Sequence, residues 1–184
     1  RVQLPIGEED HHRGVVDLLV MQAIVYEDEL GESFTVGEIP AELADAAHEA
    51  HHALIDAIAE HDDELMETYL SDESAVTPDM LRRALRAGTL ADAITPVICG
   101  SAFKNKGVQP LLDAVISYLP SPLDVPAVQG TDPKTEDEIT RAASEDAPFS
   151  ALVFKVMSDP FVGKLTYFRV YSGSIPSGAR VLNT

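Results

Sequence analysis

Three short runs carry residue types whose spacing could do chemistry. His48-Glu49-Ala50-His51-His52 fits H-E-x-x-H, in which two histidines on one helical face hold zinc and the glutamate beside them acts as base. Such a site needs a third protein ligand, and Glu67 is the acid at a suitable spacing. On one continuous helix Glu67 would lie ~28 Å from His48, at ~1.5 Å of rise per residue, so only a sharp joint near Asp62 would bring it back. The plainer reading makes His48 and His52 solvated neighbours of an acidic stripe that includes Glu49; the same holds for His11-His12, and no metal site is expected. Asn105-Lys106-Gly107-Val108 begins like the guanine motif Asn-Lys-x-Asp, but a valine in the fourth place cannot bind the ring nitrogens of the base. Gly100-Ser101-Ala102 stands between a strand-like and a helix-like run, where backbone amides can face a ligand or simply form a turn. The sequence contains no G-x-x-x-x-G-K-[ST] loop to wrap phosphates, and phosphoryl transfer depends mostly on positioning and charge neutralisation.

The elements that must position these runs can be read from periodicity. Residues 2–6 form a short apolar run closed by Gly7, and the β-branched residues in 15–26 predict one or two strands. Glu29-Leu30-Gly31-Glu32 is a turn candidate, and residues 33–39 a further short strand. After Pro40 comes a stretch rich in Ala, Leu and Glu with no Gly or Pro until Pro78, which predicts helix. At ~100° per residue, Leu43, Ala47, Ala50, Leu54, Ile58 and Leu65 fall within about 80° of one another, and Glu42, Asp45, Glu49, Asp56, Glu60, Asp63 and Glu67 lie about 200° away. Asp62 could cap a second helix after a joint at His61-Asp62. Thr77-Pro78-Asp79 reads as a helix start with cap, first-position proline and first-turn acid in order, and Gly88 as its stop. Residues 95–99 read as a buried strand, 100–107 as a polar loop, and 108–119 as a helix with Leu111, Leu112, Val115, Ile116 and Leu119 inward. Pro120-Ser121-Pro122-Leu123-Asp124-Val125-Pro126 is a stiff linker. Residues 129–147 look loop-like, and the runs 149–157, 165–172 and 179–183 look like the opening strands of a small barrel.

Charge is the most uneven property of the chain. The net charge is −18 over 184 residues. Residues 14–81 hold eighteen Asp or Glu and no Lys or Arg, while the remaining acids and bases cancel. Such a field repels phosphate and favours a basic partner surface, although a solvated helical module could carry the same charge merely to stay soluble. With 45% hydrophobic and 24% charged residues the composition is that of a globular protein rather than a disordered chain. No apolar run approaches the ~20 residues that cross a bilayer, and no basic-then-apolar export signal is visible. Cys99 is the only cysteine, which rules out an internal disulfide and makes a reducing cytoplasm the expected compartment. Arg1 at the start and Val181-Leu182-Asn183-Thr184 at the end read as cuts in a longer chain.

Longer blocks carry a resemblance. Residues 100–115 (GSAFKNKGVQPLLDAV), followed by Tyr118-Leu119-Pro120-Ser121-Pro122-Leu123-Asp124, closely resemble the end of the GTPase domain of bacterial elongation factor G. Asp159-Pro160-Phe161-Val162-Gly163-Lys164-Leu165-Thr166 and Arg169-Val170-Tyr171-Ser172-Gly173 resemble the start of that family's second domain. Val2-Gln3-Leu4-Pro5-Ile6-Gly7 and Arg13-Gly14-Val15-Val16-Asp17-Leu18 resemble the opening of the insert within its GTPase domain. Residues 27–92 match in pattern rather than in residues.

The resemblance implies an α+β chain: residues 1–92 an acidic helical insert with its edge strands, 93–122 the C-terminal α/β remnant of a GTPase domain, 123–147 a linker, and 148–184 the start of a truncated β-barrel. It implies a fragment of a ribosomal translocase that couples GTP hydrolysis to movement of tRNA and mRNA, with a recycling or ribosomal-protection paralogue as the alternative and a zinc hydrolase through His48 and His52 as a remote one. A purely structural acidic module is a further rival. By the same resemblance Ser101, Ala102 and Phe103 face guanine, and Glu42, Asp45, Glu49 and Asp56 dock the ribosomal stalk protein. GTP with Mg2+ is the expected ligand of the full-length parent and no tight ligand is expected for the fragment, which holds no catalytic residue. The expected partners are the ribosome, including its stalk protein and ribosomal RNA, with no membrane and no DNA.

Overall fold

A computed structural model describes residues 1–184 and divides them into two compact units, Arg1–Leu119 and Pro120–Thr184. The architecture is α+β, with four α-helices and small antiparallel sheets.

In the first unit, strands β1 (Gln3–Ile6), β2 (Gly14–Asp17), β3 (Gln22–Tyr26) and β4 (Phe34–Gly37) form an antiparallel sheet in chain order. Leu4 pairs with Val16, and Val16 with Ala23, so apolar residues stack across the ladder. The β2–β3 turn is set by Asp17, whose carboxylate accepts the amides of Leu19 (2.8 Å) and Val20 (3.4 Å). The β3–β4 turn is set likewise by Asp28, which accepts from Glu32 (3.1 Å) and Ser33 (2.6 Å); these amides hold its carboxyl below the usual range.

Helix α1 (Ala41–Ala59) buries Ala47, Ala50, Leu54, Ile55, Ile58 and Ala59 and turns its acids to solvent. The chain then breaks where His61-Asp62 suggested. Asp62 accepts the Leu65 amide at 3.0 Å and caps α2 (Asp63–Ser71), and it also receives two hydrogen bonds from Arg83 (2.6 and 3.1 Å). In α3 (Pro78–Leu90) Thr77 caps the Met80 amide and Pro78 is the first helical residue. Gly88 does not stop this helix. It is buried two residues before the end, and a Cβ there would meet Ile94 at 2.5 Å and His61 at 2.8 Å, so the glycine permits close packing instead. Its carbonyl accepts the amides of Ala93 and Ile94 as the chain leaves the helix. The core joins Val2, Leu4, Ile6, Val16, Leu18 and Ala23 of the sheet region to α1, α2 and α3 and to Tyr118.

Two expectations for the following segment need correction. Residues 95–99 form no regular strand, and Val97 is exposed, because no continuous ladder of backbone bonds joins them to a strand. They hold to the edge of β1 by two bonds only, Val2 amide to Val97 carbonyl (2.8 Å) and Cys99 amide to the Gln3 side chain (3.3 Å). Helix α4 (Val108–Tyr118) forms, but Leu111, Leu112, Val115, Ile116 and Leu119 are exposed rather than inward. Only Tyr118 is buried in the core, and burial beside Asp17 pushes its hydroxyl up to about 12. Arg86 of α3 donates to the carbonyls of Ser117 (2.9 Å) and Leu119 (3.4 Å), binding the negative end of α4.

The second unit contains two hairpins, β5 (Val128–Thr131) with β6 (Glu138–Arg141), and β7 (Ser150–Asp159) with β8 (Gly163–Ser172). Residues 129–147 are therefore not all loop. Asp132 accepts the Lys134 amide at 2.8 Å, and its backbone bonds Glu136 and Asp137, a turn chemistry that outweighs the polar composition. In the β7–β8 turn, Asp159 accepts the amides of Phe161 and Val162, both at 2.8 Å, and Gly163 has φ +87°. Residues 179–183 form no strand, since no partner strand borders them, and no closed barrel is present. No helix is long and apolar enough to cross a membrane.

These contacts set stability in two measurable ways. Asp62→Ala should cost about 1 kcal/mol at pH 7 through the lost cap, with a small further loss from the partly exposed Arg83 pair. Arg83, first, and the Leu65 amide hold the Asp62 carboxyl below its ordinary value, so its contribution is present above about pH 4 and disappears as pH falls through the folded value. Denaturant titrations at pH 7 and pH 3 should show the difference between parent and variant shrinking at the lower pH. No apolar side chain of the second unit is buried, and two-stranded sheets are marginal in water. Amide exchange should therefore be faster in β7 and β8 than in α1; equal protection would contradict this.

Candidate functional site

The Gly100–Gly107 loop is built by two glycines that let the chain close on itself. A Cβ on Gly100 would meet the Lys106 carbonyl at 2.7 Å, and one on Gly107 (φ +88°) the Cys99 carbonyl at 2.9 Å. Ser101 and Lys106 exchange two backbone hydrogen bonds, at 2.7 and 3.0 Å, and pinch the base of the loop. The Ser101 amide is thereby occupied within the loop. Those of Ala102 and Phe103 have no intrachain partner, and the Phe103 ring is 97% exposed. Two adjacent free donors beside an uncovered aromatic ring can hydrogen-bond a carbonyl oxygen and cover the face of a planar group. The Lys104 ammonium donates to the Asp10 carbonyl, tying the loop to residues 9–11, a single 3-10 turn.

Next to the loop lies His12, buried with no partner for its Nε2. Burial holds its pKa below the ordinary value, and the charges of Lys106 and Lys104 act in the same direction. Cys99 is half-buried, and burial pushes its thiol up, away from the nucleophilic thiolate.

On α1 the four expected docking acids Glu42, Asp45, Glu49 and Asp56 are all exposed. Glu42 is 3.6 Å from Arg13, whereas Asp45 and Glu49 have no cationic partner. Of the two H-E-x-x-H histidines, His48 is exposed and His52 Nδ1 lies 2.9 Å from Glu73; between them, His51 Nδ1 lies 2.6 Å from the Leu18 carbonyl. Although the chain does break at Asp62, no three His, Cys, Asp or Glu side chains converge anywhere in the structure. The anchoring role of His51, which ties α1 to the β2–β3 turn, had no sequence signal, because its partner is a backbone carbonyl 33 residues away.

No family model matches the sequence. In fold the chain is similar to the protein ttk003000868 from Thermus thermophilus, with a TM-score of 0.68 and 27% identity over 94% of this chain. The match covers 23% of that protein's chain, so the present chain spans about a quarter of its length. The blocks read from sequence lie on defined elements: GSAFKNKGVQPLLDAV on the pinched loop and α4, and Asp159 to Gly163 on the β7–β8 turn. In its sequence blocks this chain resembles elongation factor G, and in fold it resembles the Thermus protein.

A chain with two free loop amides but no phosphate loop should bind nucleotide weakly. A fluorescent GTP titration of the 184-residue chain should show no micromolar binding and no hydrolysis. Micromolar affinity would mean that phosphate is held by residues other than a Walker-type loop.

Proposed function

We propose that this chain is part of a GTP-driven ribosomal translocase of the elongation factor G type, acting in the cytoplasm to move tRNA and mRNA during elongation. One observation carries the reading: the pinched Ser101–Lys106 loop, set in the block that resembles the end of that family's GTPase domain, leaves the Ala102 and Phe103 amides free. In this reading those amides, with Ser101 shaping the turn, face the guanine base. The phosphates and Mg2+ are held by parts of the full-length protein outside this chain. The exposed apolar side of α4 is covered there by the remainder of the GTPase domain, and residues 93–122 close that domain. The β7–β8 hairpin opens a β-barrel second domain beside ribosomal RNA.

The acidic side of α1 supplies the second contact, with a basic surface of the ribosomal stalk protein. Rim charges act mainly on association rate, and salt screens them with a Debye length of ~10 Å at 0.1 M. Replacing Glu42, Asp45, Glu49 and Asp56 with Lys should slow stalk-protein association at least tenfold at low salt, and the deficit should narrow as salt rises. Lys at the exposed acids Glu136, Glu138, Glu145 and Asp146 of the second unit changes net charge equally and should have little effect. Stopped-flow association of the two variants measures this. If the α1 variant associates as fast as the parent, the stripe serves solubility alone.

A further inference from the structure

Tyr26, the last residue of β3, is buried, yet its hydroxyl is not used by the core. It accepts the Gly107 amide at 2.8 Å and donates to Gln109 Oε1 at 2.8 Å. Gln109 Nε2 in turn donates to the Gly31 carbonyl at 2.8 Å. Gly31 has φ +69° and is pressed on the same loop, since a Cβ there would fall 2.4 Å from the Asn105 carbonyl oxygen. One phenol and one carboxamide thus link two segments about 80 residues apart in sequence: the β3–β4 turn and the loop with the free Ala102 and Phe103 amides. Gly107 is where the loop passes into α4, in the left-handed conformation, so the direction of its amide decides how the Ser101–Lys106 pinch is oriented on the helix.

We propose that Tyr26 and Gln109 are positioning residues for the Ser101–Lys106 loop, holding it in register with the β3–β4 turn so that the two segments order together. The base-facing use of the loop rests on the function proposed above; the mutual ordering rests only on the bonds just described. Tyr26 keeps its ring contact with Phe34 (centroids 5.7 Å apart) when only the hydroxyl is removed, so Tyr26→Phe deletes the link and leaves the packing. Gln109→Glu retains the acceptor for the Tyr26 hydroxyl but loses the donor to Gly31, which separates the two halves of the link.

Amide exchange and 15N spectra of the whole 184-residue chain test this. In Tyr26→Phe the amides of Ser101, Lys106 and Gly107 should exchange about tenfold faster, the effect of one lost hydrogen bond at a buried donor, while the Val15 and Val16 amides of β2 keep their protection. In Gln109→Glu the Gly107 amide should stay slow, and the changes should fall on residues 28–33. Unchanged loop exchange in Tyr26→Phe, or equal acceleration of loop and core, would overturn the proposal and leave Tyr26 a packing residue. Should Tyr26→Phe fail to fold, the Gln109→Glu pattern decides by itself. Free guanosine titrated into the parent and Tyr26→Phe chains separates the two readings. Shifts at Ala102 and Phe103 that need at least fivefold more guanosine in the variant support positioning, whereas equal half-saturation in both chains counts against it. No shift in the parent removes the base-binding reading and leaves positioning to be decided by exchange.

Discussion

Everything in the first unit depends on how closely α1 and α3 can approach the core. Ala47 and Ala50 on α1 and Ala84 on α3 are the small residues buried in that core with Leu54, Ile55, Ile58, Leu81 and Leu85, and Gly88 of α3 lies against Ile94 and His61. Interiors pack at crystal-like density, so a methyl group added at Gly88 has nowhere to go, and truncating Ile55 would leave a cavity costing roughly 2–5 kcal/mol. Once α1 and α3 are fixed, a few further contacts place the other pieces. Asp62 and Arg83 place α2, Tyr118 and Arg86 place α4, and His51 ties α1 to the sheet.

That same packing sorts the charge. Ionised carboxylates cannot enter a dry core without a partner, so the acids of residues 14–81 go outward or onto the few basic side chains within reach, Arg13, Arg82 and Arg83, with His52 and His61 beside Glu73 and Glu60. Asp45 and Glu49 keep their field. Acids that do work inside the fold, Asp17, Asp28 and Asp62, all accept backbone amides at turns or caps.

The second unit follows a different rule. Its hairpins are shaped by turns, through Asp132 and through Asp159 with Gly163, rather than by a core. Their side chains, among them Phe154, Val156, Tyr167 and Phe168, are open on both faces. Register is thus defined locally, while the burial that would normally add stability is missing within this unit.

The helix caps were legible in the sequence because each depends on residues a few positions apart: Asp62 with Leu65 and Thr77 with Met80. The buried stripe of α1 was legible for the same reason, since a 3.6-residue period needs no distant partner; only Ile55 and Ala59 went unread, at the stripe's margin. The resemblance blocks located the pinched loop. Long-range neighbours decided the rest. Periodicity marked an apolar side on α4, yet nothing in the first unit covers it. Residues 95–99 have strand composition but only two bonds to the β1 edge, and Gly88 looks like a helix stop until Ile94 is seen against it. Which loop amides stay free, and that Tyr26 holds Gly107, depended on segments about 80 residues apart meeting in space, and hydrogen bonds of that span leave no periodic trace along the chain.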